Sequence, residues 1–289
     1  MKHKITLVLS ALLVLVAAST ASAQLTAAKD GPIVYGHHHL NATNPEETKK
    51  FFVNTLGGTL IKVGTNNQEI IRFPNVFIFM RSQASKGGTI GTTVNHIGFS
   101  VPNLRRSIDT IKAGGYKMIT RAEVAANREV KDDIAAPAAP GGSSIAFALG
   151  PDEVKVELVE VKTQTMPIAL HHVHFFGQQN TEMAAWYVKV FGGKPGTGGG
   201  GAYPNDTLPG VALNFSPATE PVVGTTGRAL DHVGFEVKNL EAFTKKLEGM
   251  GIKLTVAYRK VPALDIAIAF ITDPWGTYIE LTEGLDKVS

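Results

Sequence analysis

The sequence predicts an α+β fold built from four similar modules, each with a strand, a helix and several further strands. Three observations support this prediction. The 289 residues are 44% apolar and 18% charged, which is the composition of a folded globular protein rather than a disordered chain. Its 30 glycines and 15 prolines favour many turns, and therefore a strand-rich or mixed fold over a helical bundle. The third observation is a sequence pattern that recurs along the chain.

The first 23 residues have the pattern of a secretory signal peptide. Lys2 and Lys4 precede an apolar run without charge at residues 5–18, and small residues at 21–23 provide a cleavage site. The mature chain would then begin at Gln24. A transmembrane anchor is the alternative, but the apolar run is shorter than the ~20 residues that a bilayer requires. We therefore expect a secreted or periplasmic protein that has no membrane contact after cleavage.

Charge and cysteine content narrow the function. The formal net charge of +3 includes the lysines of the signal segment, so it is too small to indicate a nucleic-acid-binding surface. The chain has no cysteine, which excludes disulfides, cysteine nucleophiles, iron–sulfur clusters and thiolate zinc sites. Any metal ion must therefore be held by histidine, aspartate or glutamate.

The two halves of the mature chain repeat one another, and each half contains two modules. Residues 51–58 parallel residues 186–193, residues 95–104 match residues 231–240, and residues 145–158 match residues 268–281. The predicted modules cover residues 33–82, 93–162, 168–217 and 228–286. We expect the first two modules to form an N-terminal domain, 33–162, and the last two a C-terminal domain, 168–286.

Helix boundaries are marked in each module. Pro45 fits the first position of a helix, and Asn103 and Asn239 are predicted N-caps of helices with apolar residues at core-facing spacing. Glycines then end the four helices, at 57–58, 114–115, 192–193 and 251. Two long loops, 126–144 and 194–209, are rich in glycine, proline and alanine. Loops of that length are often lids or binding loops.

The four-module plan resembles the vicinal oxygen chelate superfamily. The resemblance rests on the histidine-bearing strands that open modules and on residues 273–280, DPWGTYIE, which close the last one. This superfamily includes glyoxalase I, extradiol dioxygenases, fosfomycin-resistance enzymes and bleomycin-binding proteins. The resemblance covers about 33–286 and implies four βαβββ modules paired into two cup-shaped, barrel-like half domains. Each cup would hold a divalent metal ion.

The resemblance also implies two sets of metal ligands, one histidine from the first strand of each paired module and a glutamate from the last strand of one. The matching residues are His172, His232 and Glu280 in the C-terminal half, and His37, His96 and Glu157 in the N-terminal half. Pairing of modules across the halves would regroup these ligands, and the sequence leaves that choice open. The expected ion is Fe, Zn, Mn or Ni.

Two imidazoles and one carboxylate leave positions on a metal ion open for a substrate with two adjacent oxygen atoms. Strand periodicity places His37 and His39 on one face, with His38 on the other, and lets His174 share a face with His172. His174 is therefore a predicted catalytic base or hydrogen-bond donor.

Residues two positions before each glutamate share its face. Tyr278 precedes Glu280 in this way and is a predicted catalytic acid or orienting group. Lys155 occupies the matching place before Glu157, where it would hold a carboxylate. The two cups are therefore not equivalent.

Two departures from particular families bear on function. Bacterial glyoxalase I adds a second glutamate from the last strand of the partner module, but residues 76–80 and 211–215 contain none. The active-site tyrosine of extradiol dioxygenases, ten residues before the glutamate, corresponds to Phe270, and their second-sphere histidine corresponds to the apolar region at Val261.

The sequence thus predicts an exported metal-dependent enzyme, extradiol-dioxygenase-like in architecture, that acts on a small chelating molecule. Two alternatives remain: a non-catalytic periplasmic small-molecule-binding protein of the bleomycin-resistance type, and a glyoxalase-like lyase. The sequence leaves the oligomeric state open.

Overall fold

All four predicted modules contain an opening strand, a helix and closing strands in the computed structural model of the protein. The structure describes residues 25–28, 31 and 33–288. The predicted signal peptide, residues 1–23, lies outside these residues.

The first half contains ten strands. The first module consists of β1 (Val34–Ala42), α1 (Pro45–Lys49) with a π-helical continuation (Lys50–Thr55), β2 (Thr59–Val63), β3 (Gln68–Phe73) and β4 (Val76–Ser82). The second module consists of β5 (Val94–Val101), α2 (Leu104–Ala113), β6 (Lys117–Met118), α3 (Thr120–Glu123), β7 (Val130–Lys131), β8 (Ile134–Ala135), β9 (Ile145–Leu149), a 3₁₀ turn (Pro151–Glu153) and β10 (Lys155–Glu160).

The second half repeats this order of opening strand, helix and closing strands. The third module consists of β11 (Ala169–Gly177), α4 (Asn180–Phe191), β12 (Lys194–Gly198), β13 (Tyr203–Leu208) and β14 (Val211–Pro217). The fourth module consists of β15 (Leu230–Glu236), α5 (Leu240–Gly249), β16 (Leu254–Val261), β17 (Ile266–Thr272), β18 (Tyr278–Glu283) and a 3₁₀ turn (Leu285–Lys287).

The modules join edge to edge across the two halves. One curved sheet combines the first and fourth modules in the order β16-β17-β18-β15-β1-β4-β3-β2. The other combines the second and third modules in the order β12-β13-β14-β11-β5-β10-β9-β8-β7, with β6 paired to β9. The opening strands meet at the centre, where β1 is antiparallel to β15 and β5 is antiparallel to β11. The two modules of each expected domain, 33–162 and 168–286, therefore lie in different sheets.

Aromatic contacts explain how two consecutive modules are held in different sheets. Phe191 at the end of α4 stacks on Phe235 of β15, with ring centroids 4.2 Å apart. In the first half, Phe73 of β3 packs on Phe99 of β5 at 4.8 Å. All four side chains belong to one hydrophobic core that spans both sheets. The two modules within each half therefore pack face to face. The edges of their opening strands remain available to pair with opening strands of the other half.

The predicted helix signals are confirmed. The side chain of Asn103 accepts a hydrogen bond from the backbone N–H of Arg106, and the side chain of Asn239 accepts one from Ala242. Gly192 ends α4 in the left-handed conformation, with φ of 75°. No helix among the described residues is long and apolar enough to cross a membrane.

The buried side chain of Glu236 forms hydrogen bonds to residues near the C-terminus. Its Oε1 accepts hydrogen bonds from the backbone N–H groups of Gly284 at 2.7 Å and Leu285 at 3.0 Å, and its Oε2 accepts one from the Thr282 hydroxyl. Burial raises the pKa of Glu236 from 4.5 to about 7, and the nearby charge of Asp286 adds to this rise. The folded protein therefore holds a proton that the unfolded chain releases at lower pH.

The free energy of unfolding should fall as the pH rises from 4.5 to about 7, because in this range only the unfolded chain has lost the Glu236 proton. We expect Glu236→Gln to become more stable relative to the parent across this window, by up to about 3 kcal/mol. Urea unfolding at several pH values measures this difference. The control is Glu248→Gln, which removes an exposed carboxylate of α5 that lies outside this hydrogen-bond network. A pH-independent difference for Glu236→Gln would contradict the prediction.

Candidate metal centres

Centre 1 consists of His37 of β1, His232 of β15 and Glu280 of β18. Glu280 Oε2 lies 2.9 Å from His37 Nε2 and 2.9 Å from His232 Nε2. All three residues are buried, and their donor atoms lie within 4.8 Å of one another. Burial raises the pKa of Glu280, but the two imidazoles outweigh burial and hold it far below its usual value. Glu280 is therefore a carboxylate at neutral pH.

His232 is oriented from behind by a second carboxylate. Asp231 Oδ1 lies 2.7 Å from His232 Nδ1, and Asp231 itself accepts hydrogen bonds from the Gly227 backbone and the Asn41 side chain. Burial opposes the charged imidazole, but the hydrogen bonds to Asp231 and Glu280 outweigh burial and raise the pKa of His232. A carboxylate behind a histidine fixes its tautomer and strengthens it as a metal ligand.

Centre 2 consists of His96 of β5, Glu157 of β10, and His172 and His174 of β11. Glu157 Oε2 lies 2.8 Å from His96 Nε2 and 3.2 Å from His172 Nε2. The donor atoms of all four buried residues lie within 4.8 Å of one another. Burial raises the pKa of Glu157, but the charges and hydrogen bonds of His172 and His96 hold it well below its usual range. Asn95 replaces the aspartate of centre 1, with its Oδ1 2.9 Å from His96 Nδ1.

The six predicted ligands all lie in the two centres, but two of them exchange places. His37 joins His232 and Glu280, not His96 and Glu157. His172 joins His96 and Glu157 instead of the C-terminal set. The reason is the pairing of opening strands across the halves, which brings β1 beside β15 and β11 beside β5.

On each of the four opening strands, a β-bulge directly precedes one donor histidine: His37, His96, His172 or His232. The pairing registers skip one residue at each bulge, and these extra residues are Gly36, Asn95, His171 and Asp231. A bulge turns the strand locally and can re-aim a side chain. In β5 and β15 the extra residue also supplies the side chain that hydrogen-bonds Nδ1 of the following histidine.

Glycines opposite two donor histidines make room for their rings. A Cβ atom at Gly234 would overlap the imidazole of His37, and one at Gly98 would overlap the imidazole of His172. Each of the sequence motifs His-Ile-Gly-Phe and His-Val-Gly-Phe thus contains one donor histidine. The glycine of the same motif makes room for the ring of the donor histidine on the paired strand. Sequence reasoning noted these repeated motifs but did not identify the role of their glycines or of the Asn and Asp before each histidine.

Centre 1 lies at a cavity of about 210 Å³ between the first and fourth modules. Its walls are largely apolar and include Phe79, Leu264 and Phe270. Arg81 and Arg259 also line it, and their guanidinium groups have no ion-pair or hydrogen-bond partner among the described residues. An apolar cavity that contains unpaired cations suits a small anionic molecule with an apolar part.

The predicted catalytic residues lie beside the centres. His174 belongs to centre 2, and Tyr278 lies against His232 of centre 1 with ring centroids 5.5 Å apart. Tyr278 stacks on Phe270 and is not among the residues that line the cavity, so its catalytic role remains a prediction. Lys155 holds a carboxylate of the chain itself, because its Nζ lies 2.6 Å from Glu123 Oε2.

The donor sets fit a divalent transition metal. Each set combines imidazoles with one carboxylate whose oxygen faces the imidazole nitrogens. Imidazole and carboxylate groups are the usual ligands of iron, zinc and manganese ions in such sites. In centre 1, the outer nitrogen of His37, Nδ1, is buried without a hydrogen-bond partner among the described residues. His37, His232 and Glu280 would hold an ion in centre 1, and the residues of centre 2 would hold another.

The comparisons with known proteins confirm the predicted family. Residues 169–281 match the sequence profile of the Glyoxalase/Bleomycin resistance protein/Dioxygenase superfamily, the vicinal oxygen chelate superfamily. This match covers the third and fourth modules. The chain therefore carries a domain of this superfamily. No curated protein matches the sequence.

Solved structures show the same fold over most of the chain. Glyoxalase I from Zea mays is similar with a TM-score of 0.64 and 18% identity, covering 88% of this chain and 94% of that chain. A "putative dioxygenase" from Bacillus subtilis subsp. subtilis str. 168 is similar with a TM-score of 0.62 and 13% identity, covering 89% of this chain and 86% of that chain. At these identities the likeness establishes the α+β fold of paired modules and not the reaction.

We expect Gly234→Ala to weaken metal binding at centre 1 by about tenfold or more, because the new methyl group displaces the His37 ring. Competition with a chromophoric chelator measures the affinity. Gly36→Ala on β1 is the matched control, since its Cβ would meet its nearest neighbour, the Gly234 carbonyl oxygen, at an ordinary 3.4 Å. Equal affinities of the two variants would contradict the role assigned to Gly234.

Proposed function

We propose that this protein is a metal-dependent enzyme that acts at centre 1 on a small substrate with two adjacent oxygen atoms. One observation carries the proposal: three convergent donors lie at a cavity of about 210 Å³. With only three protein ligands, positions on an ion remain for a chelating substrate. The superfamily domain supports the same chemistry.

His37, His232 and Glu280 would hold the ion, which supplies Lewis acidity toward the substrate oxygens when it is bound. The surrounding residues have separate tasks. Asp231 fixes the His232 tautomer, and Phe79 and Phe270 exclude water from the cavity. Burial raises the pKa of the Tyr278 hydroxyl, which therefore keeps its proton at neutral pH. This proton is available for a hydrogen bond beside His232.

The two arginines of the cavity indicate the charge of the substrate. Arg81 extends from the end of β4 and Arg259 from β16, so the first and fourth modules each contribute one cation. A carboxylate on the substrate would pair with one or both guanidinium groups, as arginine binds carboxylates through two parallel hydrogen bonds. The proposed substrate is therefore a small anion with an apolar part and two vicinal oxygens, such as a catechol carboxylate.

Turnover measurements with the metal-loaded protein test this function. Protein reconstituted with Fe²⁺, Zn²⁺, Mn²⁺ or Ni²⁺ is assayed against a panel of catechols with and without a carboxylate, while oxygen uptake and product formation are followed. Oxygen uptake would indicate a dioxygenase, and turnover without oxygen a lyase or isomerase. We expect His232→Ala to abolish turnover. Ligand binding without any turnover would contradict the enzyme proposal and favour the small-molecule-binding alternative.

Arg81→Gln and Arg259→Gln should each raise KM for the carboxylate-bearing substrate by about tenfold, because one charge-assisted contact is lost. The KM for an uncharged analogue should change little. Arg106→Gln, on the exposed side of α2, removes the same charge elsewhere and serves as the control. An equal effect on charged and uncharged analogues would contradict the assigned role of the arginines.

We also propose that the protein is exported and acts in the periplasm or outside the cell. Residues 1–23 support this, since they combine an N-terminal positive charge, an apolar run and a small-residue cleavage site. Mass spectrometry of protein from the exported fraction should find a mature N-terminus at Gln24. Replacing Ala21 and Ala23 by bulky residues should leave the precursor uncleaved, and a mature chain that retains residues 1–23 would contradict the proposal.

A further inference from the structure

We propose that centre 2 is a closed metal site with four protein ligands, in which His174 is the fourth ligand and the ion has a structural role. The proposal is independent of the reaction at centre 1. It gives His174 a different task from the catalytic base that strand periodicity predicted.

The position of His174 supports direct metal ligation. It lies two residues after His172 on β11, and both rings face the same side of the sheet, 5.6 Å apart between centroids. The His174 ring also lies 4.6 Å from that of His96. Its donor atom is within 4.8 Å of those of His96, His172 and Glu157. Three imidazoles and one carboxylate therefore surround one point.

The hydrogen bond of His174 leaves one nitrogen available for a metal ion. Nε2 lies 2.8 Å from the Ser216 hydroxyl oxygen, and in the tautomer protonated at Nε2 it donates a hydrogen bond to that oxygen. Nδ1 then carries a lone pair, and this atom is buried without a hydrogen-bond partner among the described residues.

The corresponding position of centre 1 lacks this arrangement. His39 matches His174 in strand register, since His39 pairs with His232 as His174 pairs with His96. The neighbouring strand places Phe79 beside His39 but Asn214 beside His174. His39 stacks on Phe79, with ring centroids 5.9 Å apart, and is not part of the centre 1 donor set. Centre 1 therefore has three donors and a cavity, while centre 2 has four donors.

The two long loops noted in the sequence, 126–144 and 194–209, both belong to the sheet of centre 2. Tyr203, which follows the glycines at 198–201, covers His174 with ring centroids 4.9 Å apart. Glu123, just before the 126–144 loop, binds Lys155 near Glu157. The two loops lie close together at Gly200 and Ala139. A Cβ atom added to Gly200 would lie only 3.2 Å from the Cβ of Ala139. Tyr203 therefore lies over one of the four donors, and the two long loops lie close to one another beside it.

A closed four-ligand site suits a structural ion. The donors come from β5 and β10 of the second module and β11 of the third, so an ion would join the two halves at the middle of the ten-stranded sheet. The expected ion is Zn²⁺, whose structural sites are four-coordinate.

The first experiment uses His232→Ala, which disables centre 1 and leaves centre 2 to be measured alone. We expect this variant to retain one Zn²⁺ per chain and to unfold at a higher temperature with Zn²⁺ than after chelation. Adding His174→Gln should lower the Zn²⁺ affinity by at least about tenfold and remove the thermal shift. His39→Gln in the same background is the matched control and should change neither the Zn²⁺ affinity nor the thermal shift. Absence of bound Zn²⁺ in His232→Ala, or equal affinities with and without His174, would overturn the proposal.

The second experiment measures coordination and does not require the His174 variant to fold. EPR of Cu²⁺-loaded His232→Ala should detect three imidazole nitrogens, and two nitrogens would overturn the assignment of His174. Addition of 4-nitrocatechol should leave the visible spectrum of the Co²⁺-loaded variant unchanged, because a closed site has no position for a chelator. A spectral shift would overturn the closed, structural role. Ser216→Ala, which frees Nε2 of His174, should weaken Zn²⁺ binding by about tenfold.

Discussion

Both candidate metal centres depend on the antiparallel pairing of two module-opening strands. In each pair, one strand (β1 or β11) provides a donor histidine. The other strand (β15 or β5) provides a second donor histidine and a glycine against which the ring of the first histidine packs. On each opening strand a bulge precedes one donor histidine and can turn it toward the other donors. The glutamate comes from the strand parallel to one member of the pair, β18 beside β15 and β10 beside β5. A shift of one residue in this register would turn the histidines to the opposite face.

Much of this arrangement could be predicted from the sequence. The doubled pattern defined the modules, Asn103 and Asn239 identified helix starts, and the family resemblance pointed to six residues that all lie in the two centres. The partner of each module could not be predicted, because all four opening strands carry similar apolar and histidine patterns. The choice depends on long-range packing, such as that of Phe191 on Phe235, which places consecutive modules in separate sheets. Local patterns contain no information about such contacts.

The residues around the donors account for the different character of the two centres. Asp231 at one centre corresponds to Asn95 at the other, and Phe79 corresponds to Asn214. These exchanges leave the backbone geometry intact, since the bulges and glycines are the same in both sheets. The chemistry of each centre is thus set by side chains next to the ligands. The sequence showed these positions, but their significance depends on which modules share a sheet.

The exchange of modules between sheets means that neither half of the chain is complete by itself. Residues 33–162 contain β1 and β5, yet the strand that each needs for its central pairing lies in residues 168–286. Two copies of one half would satisfy the same pairings only in a twofold-symmetric dimer with an isologous interface. The protein therefore has the architecture of such a dimer whose subunits have been joined into one polypeptide. Within one polypeptide the two sites are not bound by that symmetry, so their surroundings can differ, as Asp231 and Asn95 do.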